Sequence, residues 1–163
     1  MNFRNAEQHD WPTILAIYNQ AVEESFCTAD TEPATLDSRR GWLEQHSAGR
    51  YPILLAEENG TILGWCSLSP YRPGRRALAG VAEVSYYLDR QARGRGLAGQ
   101  LLKQAIHTAR QQNFHTLIAI LMDVNRPSRR LLEKFHFERW GHLPDVACFP
   151  EGCCGQYLYG LKI

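Results

Sequence analysis

The chain has 163 residues, 44% of them hydrophobic and 21% charged, which fits one folded domain over residues 1–163 with a sizeable core and excludes a disordered tail, a collagen-like repeat and a disulfide mini-scaffold. Eighteen Lys and Arg against seventeen Asp and Glu leave a net charge of +1, too even for a dedicated nucleic-acid binder. The longest aliphatic or Met run, Leu117 to Met122, falls far short of the roughly 20 residues that cross a bilayer, and the N-terminus lacks the apolar core of a secretory signal. The expectation is a soluble, cytoplasmic protein with no membrane or nucleic-acid partner.

Phe3-Arg4 reads as the end of a short first strand. Asp10-Trp11-Pro12 opens a helix, with Asp10 as N-cap and Pro12 in the first turn; Ile14, Leu15, Ile17, Tyr18, Ala21 and Val22 form its apolar face. A polar stretch, Thr28 to Thr35, precedes a short second helix carrying Leu36, Trp42 and Leu43. Pro52 to Ala56 is a strand, Asn59-Gly60 a hairpin turn and Ile62 to Ser69 the return strand. Pro70 to Arg76 is a loop, and Gly80 to Leu88 a third long strand. An Arg- and Gly-rich turn, Arg90 to Gly96, leads into a helix marked by Leu97, Leu101, Leu102, Ala105, Ile106 and Ala109 that ends near Asn113. Thr116 to Leu121 is a buried strand, and Asn125-Arg126-Pro127-Ser128 opens a last helix with Leu131, Leu132 and Phe135 on one side. Phe137 to Trp140 and Gln156 to Leu161 are final strands. The order β-α-α-β-β-β-α-β-α-β-β describes an α/β chain with a long antiparallel portion in its first half.

Cys27, Cys66, Cys148, Cys153 and Cys154 are odd in number and irregular in spacing, which points away from a disulfide framework and fits a reducing compartment. There is no C-x-x-C pair, and His9, His46, His107, His115, His136 and His142 make no pair at metal-ligand spacing. The cysteines read as buried or idle thiols, and no metal is expected.

The informative segment runs from Glu83 to Gly99, where a strand enters a glycine turn that opens a long helix. The first N–H groups of a helix lack intrahelical partners, and the helix dipole favours an anion there. Gly94 and Gly96 remove side chains that would block close approach, while Arg90, Arg93 and Arg95 add positive charge, so the turn suits a phosphate or pyrophosphate. Gly94-Arg95-Gly96-Leu97-Ala98-Gly99 also matches the dinucleotide fingerprint, but five residues separate it from Leu88 and the βαβ units of a doubly wound fold are too few. No Gly-Lys-Ser/Thr of a Walker A loop occurs.

Parsed as Arg93-x-x-Gly96-x-Ala98, the same turn resembles the R/Q-x-x-G-x-G/A signature of the GCN5-related N-acetyltransferases. Asn125-Arg126-Pro127-Ser128 through Leu132-Glu133-Lys134-Phe135-His136-Phe137 resembles the family's N-x-x-S…Y-x-K-x-G-F block, with Leu132 in place of the Tyr and His136 in place of the Gly. A narrower resemblance, to the phosphinothricin and methionine sulfone N-acetyltransferase branch, rests on Ile17-Tyr18-Asn19-Gln20-Ala21, Glu32-Pro33, Ala82-Glu83-Val84-Ser85 and Arg93-Gly94-Arg95-Gly96. The branch's R-H-T-V-E-H-S is Ala79-Gly80-Val81-Ala82-Glu83-Val84-Ser85 here, so its Arg and His are missing, and Arg72, Arg75 or Arg76 are the substitutes at hand.

The resemblance implies a mixed, mostly antiparallel central sheet flanked by helices, with a splayed central strand pair. It implies acetyl-CoA as cosubstrate and a homodimer. The cofactor-binding residues would be Tyr86, Tyr87, Leu88, Arg93, Gly94, Arg95, Gly96, Leu97, Ala98, Asn125 and Lys134. Backbone N–H groups near Tyr86 to Leu88 would supply the oxyanion donors; the two tyrosines point to opposite faces, so at most one faces the thioester, and core packing is the reading preferred for one of them. Asn125 either bonds the pantetheine or caps its helix, and Arg126, Arg129, Arg130 and Lys134 either attract the 3′-phosphate or form a solvated face. Glu83 would be the catalytic base, directly or through water, or else a solvated carboxylate on the strand's polar face. Thr31-Glu32-Pro33 and Trp65 to Arg72 lie where the acceptor would bind, with Thr31, Glu32, Trp65 and Arg72 as the contacts; Trp65 is equally readable as ordinary core. The expected activity is direct acetyl transfer to the amine of a small amino-acid-like acceptor. The alternatives are a protein N-terminal, lysine or polyamine acetyltransferase, or a non-catalytic acyl-CoA sensor.

Overall fold

The computed structural model describes residues 1–46 and 49–163. It contains one seven-stranded sheet in the order β1 (Asn2–Asn5), β2 (Ile53–Glu58), β3 (Thr61–Pro70), β4 (Val81–Leu88), β5 (Thr116–Met122), β7 (Gly152–Lys162) and β6 (Glu138–Phe149). Neighbours are antiparallel except β4 and β5, which run parallel. The element order expected from the sequence is the order found, with helices α1 (Trp11–Glu23), α2 (Leu36–Gln45), α3 (Leu97–Gln111) and α4 (Arg126–Lys134).

Strand alternation divides the core into two layers. Even positions on β2, β3 and β4 (Leu54, Ala56, Cys66, Leu68, Ala82 and Val84) pack on the apolar stripe of α3, Leu97, Leu101, Leu102, Ala105, Ile106 and Ala109, together with Leu132 of α4. Odd positions (Ile53, Leu55 and Trp65) pack on Trp11, Ile14, Leu15 and Ile17 of α1 and Leu43 of α2. Asp10 stands at the N-cap position of α1, but its side chain makes no cap to that helix. Instead it accepts from both Nη atoms of Arg4, at 2.7 and 2.9 Å, and from the Glu7 N–H at 2.8 Å, tying β1 to the helix entry. The Arg4 guanidinium holds this buried carboxyl below the usual carboxylate range.

β4 and β5 are paired only from Val81↔Thr116 to Glu83↔Ile118. Beyond that register they part: β4 stays bonded to β3 as far as Leu88, and β5 stays bonded to β7 as far as Met122. A gap therefore opens in the middle of the sheet, and it is the splayed central pair expected above.

The final hairpin is much longer than its sequence suggests. β6 reaches from Glu138 to Phe149 through register shifts at Arg139/Gly141 and Leu143/Ala147. The second shift absorbs Pro144 and Asp145, the latter at φ +52°. A proline is tolerated there because β6 is an edge strand. The hairpin tip packs on the loop after α1: the Phe26 and Phe149 rings are 4.7 Å apart, and Ser25 Oγ donates to Glu151 at 3.2 Å. Cys148 and Cys153 lie opposite each other in this ladder and are joined by a disulfide, which corrects the expectation of five idle thiols; Cys27, Cys66 and Cys154 are free. Cross-strand register created the pair, and spacing alone did not reveal it. No helix among the described residues is long and apolar enough to cross a membrane.

Candidate active site

The site grows out of one side of β3 and β4. Trp65↔Tyr87, Ser67↔Ser85 and Ser69↔Glu83 are directly opposed pairs, and alternation puts all six on the α1/α2 face. Ile14, Leu15 and Tyr18 of α1 and Arg39 and Trp42 of α2 stand around them, and together they line a half-open cavity of about 290 Å³. Its wall is aromatic. Tyr87 lies 5.0 Å from Tyr18, edge-on, and 4.8 Å from Trp65, whose indole N–H donates to the Ile14 carbonyl at 3.0 Å.

Glu83 stands on the polar side of this floor. No described residue donates a hydrogen bond to its carboxylate, and burial pushes its pKa up. Beside it, Ser69 Oγ is 2.9 Å from Nε2 of the buried His46. His46 Nδ1 is 2.6 Å from the Trp42 carbonyl, which can only accept, so a neutral ring carries its proton on Nδ1 and offers Nε2 to the Ser69 hydroxyl. Burial lowers the His46 pKa, against the Trp42 and Leu68 carbonyls, which raise it. With the neutral ring, Ser69 turns its hydroxyl proton to His46 and keeps its oxygen lone pairs for another donor. Ser67 Oγ is fully buried and has no partner among the described residues.

The gap between β4 and β5 lies behind Glu83. On its α3/α4 side, Tyr86 reaches across to α4, its hydroxyl 2.6 Å from Ser128 Oγ. The Asn125 side chain accepts from the Ser128 N–H at 3.2 Å, so here it caps α4. At the end of β4 the chain turns through Gly94 (φ +77°) and Gly96 (φ +74°) into α3. Glycine takes these angles without steric cost, and a Cβ at either position would meet nothing within 4 Å. Among the described residues, none accepts from the N–H groups of Gly94 to Gly99, which leaves a run of amides without a protein partner. The three turn arginines are already paired: Arg90 with Glu23 and Glu24, Arg93 with Glu24 at 2.7 Å, and Arg95 with Glu58 at 2.8 Å.

The structure therefore brings Glu83 and Trp65 together with Tyr87 at one cavity, and gathers Tyr86, Leu88, Asn125 and the Arg93 to Ala98 turn along the gap and the mouth of α3. Thr31, Glu32 and Arg72 are exposed and do not line the cavity, and Lys134 is exposed on the last turn of α4. Sequence reasoning missed Tyr18, Arg39, Trp42 and His46. Arg39 precedes Trp42 by three residues and Leu43 by four, the spacing that puts it on the core-facing side of α2.

A mixed sheet parted at its parallel pair, beside a helix that begins with unpartnered amides, sets a cleft next to a site suited to an anion. The profile of the acetyltransferase (GNAT) family matches residues 11–137, and the chain belongs to that family. It is similar to the L-methionine sulfoximine/L-methionine sulfone acetyltransferase of Pseudomonas aeruginosa, with 36% identity over 89% of this chain and 84% of that protein. It is 32% identical to the phosphinothricin N-acetyltransferase of Streptomyces coelicolor over 88% of this chain and 85% of that one. Among solved structures, an acetyltransferase-type protein of Salmonella typhimurium with acetyl-CoA bound superposes with a TM-score of 0.93 at 28% identity, over 99% of this chain and 93% of that one.

Proposed function

We propose that the chain, acting as a single domain in the cytoplasm, moves the acetyl group of acetyl-CoA to the primary amine of a small amino-acid-like acceptor. The observation that carries this is the unengaged Glu83 carboxylate on the floor of a half-open cavity, directly beside the gap between β4 and β5. The amides of Gly94 to Gly99 and the space beyond the two glycines suit the coenzyme's diphosphate. Tyr86, Asn125 and Ser128 line the route of its pantetheine arm, with Lys134 near the far end of α4. Bound acetyl-CoA supplies the acetyl group as a thioester.

Glu83 accepts the proton that the acceptor ammonium must lose before it can attack; an α-amino group near pKa 8 gives that proton up far more readily than a lysine. The lone pairs of Ser69, turned to the cavity by His46, hold a second N–H of the amine. Backbone N–H groups of β4 past Glu83, freed by the parting of the strands, face the developing charge on the thioester oxygen. The small size of the cavity and the names of the relatives favour methionine sulfone, methionine sulfoximine or phosphinothricin over a protein lysine. Release of free CoA thiol, followed across those three compounds, free amino acids, polyamines and peptides, tests the reading. Turnover should appear with amino-acid-like amines, whereas coenzyme binding without thiol release for any amine would leave a sensor.

We also infer a homodimer. Trp140, Leu143, Val146 and Ile120 are exposed, and β6 is an uncovered edge, which together suit burial against a second copy.

A further inference from the structure

We infer that Arg39 reads the α-carboxylate of the acceptor, so that the enzyme demands a free amino acid rather than an amine alone. This rests on the acetyltransferase reading above. Among the described residues two charged side chains line the cavity, Glu83 from the floor and Arg39 from α2, and the others lining it are neutral. An α-amino acid carries an ammonium and a carboxylate on one carbon, so it can offer the first to Glu83 and the second to the N–H groups of Arg39 that Asp30 leaves open, a contact whose worth lies in fork geometry more than in net charge. A polyamine or a lysine side chain would bring only positive charge towards the guanidinium.

Arg39 is held as a binding group would be. Its Nη2 is paired with Asp30, which also accepts from the Tyr18 hydroxyl at 2.5 Å. Its Cζ lies 5.5 Å from the centre of the Tyr18 ring, a cation–π contact. The guanidinium plane is thus fixed by an anion on one edge and an aromatic face on one side. Among the described residues nothing else accepts from Arg39, which leaves N–H groups for a carboxylate in the fork geometry that arginine favours. The arginines of the loop before β4 offer no substitute: Arg72, Arg75 and Arg76 are all exposed and off the cavity.

The test pairs each α-amino acid of a panel led by methionine sulfone with its own carboxamide, and measures kcat/KM by thiol release and binding by calorimetry. The wild-type enzyme should prefer the acid by roughly tenfold or more. Arg39→Ala should collapse that ratio towards one by raising KM for the acid, and Arg39→Lys, which keeps the charge and loses the fork, should restore part of it. A merely structural role would lower acid and amide together and leave the ratio intact, and that result in both variants overturns the inference. Wild-type turnover confined to amines without a carboxylate overturns it too, while leaving acetyl transfer standing. Amino-acid binding that Arg39→Ala abolishes, with no turnover by the wild type, upholds Arg39 and sinks the transfer reading. Absence of both binding and turnover overturns the inference.

Discussion

Glu83 is a carboxylate with no donor among the described residues, held where water is scarce. Its raised pKa has two consequences of opposite benefit. In the proposed mechanism the ionised form is the base, so kcat should climb as pH rises through that pKa and then level. The folded chain also binds this proton more tightly than the unfolded one, so the group contributes less stability as pH rises from the unfolded to the folded pKa. Glu83→Gln should therefore cut kcat by about 10²- to 10⁴-fold and abolish the rising limb, with KM for acetyl-CoA held. The same variant should melt no lower than wild type at neutral pH, and its advantage should shrink towards pH 4. A pH–rate profile and a set of thermal melts check both halves; unchanged turnover across pH 6 to 9 would remove Glu83 from the mechanism.

Elements, more than single residues, determined what could be read in advance. The two long amphipathic helices, the Asn59-Gly60 hairpin and the glycine turn were legible because each is a local pattern with a local cause. β6 was not: Gly141, Pro144 and Asp145 break its alternation, and only pairing with β7 keeps it extended. Glu83 and Trp65 could be picked out from the central strands, but Tyr18 and Arg39 reach the cavity only through the docking of α1 and α2 on the sheet. At the mouth of α3, Gly96 sits at φ +74° with open space where a Cβ would go. Gly96→Ala should cost about 1 to 2 kcal/mol of backbone strain, lowering Tm by a few degrees. Its new methyl would stand where the proposed site takes the diphosphate, so KM for acetyl-CoA should rise about tenfold or more while kcat at saturation changes little. Initial rates over a range of acetyl-CoA concentrations read this directly.

At the scale of the molecule, the sheet is well covered at its centre and bare at one end. α3 and α4 cover one face, α1 and α2 cover β2 to β4 on the other, and Ile120, Trp140 and Leu143 remain exposed around β5 and β6. Burying that surface in a symmetric pair should stabilise it. Trp140→Glu combined with Leu143→Glu is expected to convert a dimer to a monomer in sedimentation equilibrium, and a wild-type chain that already sediments as a monomer would refute the pairing. The ion pairs around the glycine turn bear on how such an enzyme responds to its medium. Because Arg90, Arg93 and Arg95 are already neutralised by Glu23, Glu24 and Glu58, an arriving diphosphate exchanges one anionic partner for another and gains little net attraction from the swap. Its grip then depends chiefly on fixed amide dipoles at short range, so rising ionic strength weakens coenzyme capture less than three unclaimed cations would suggest.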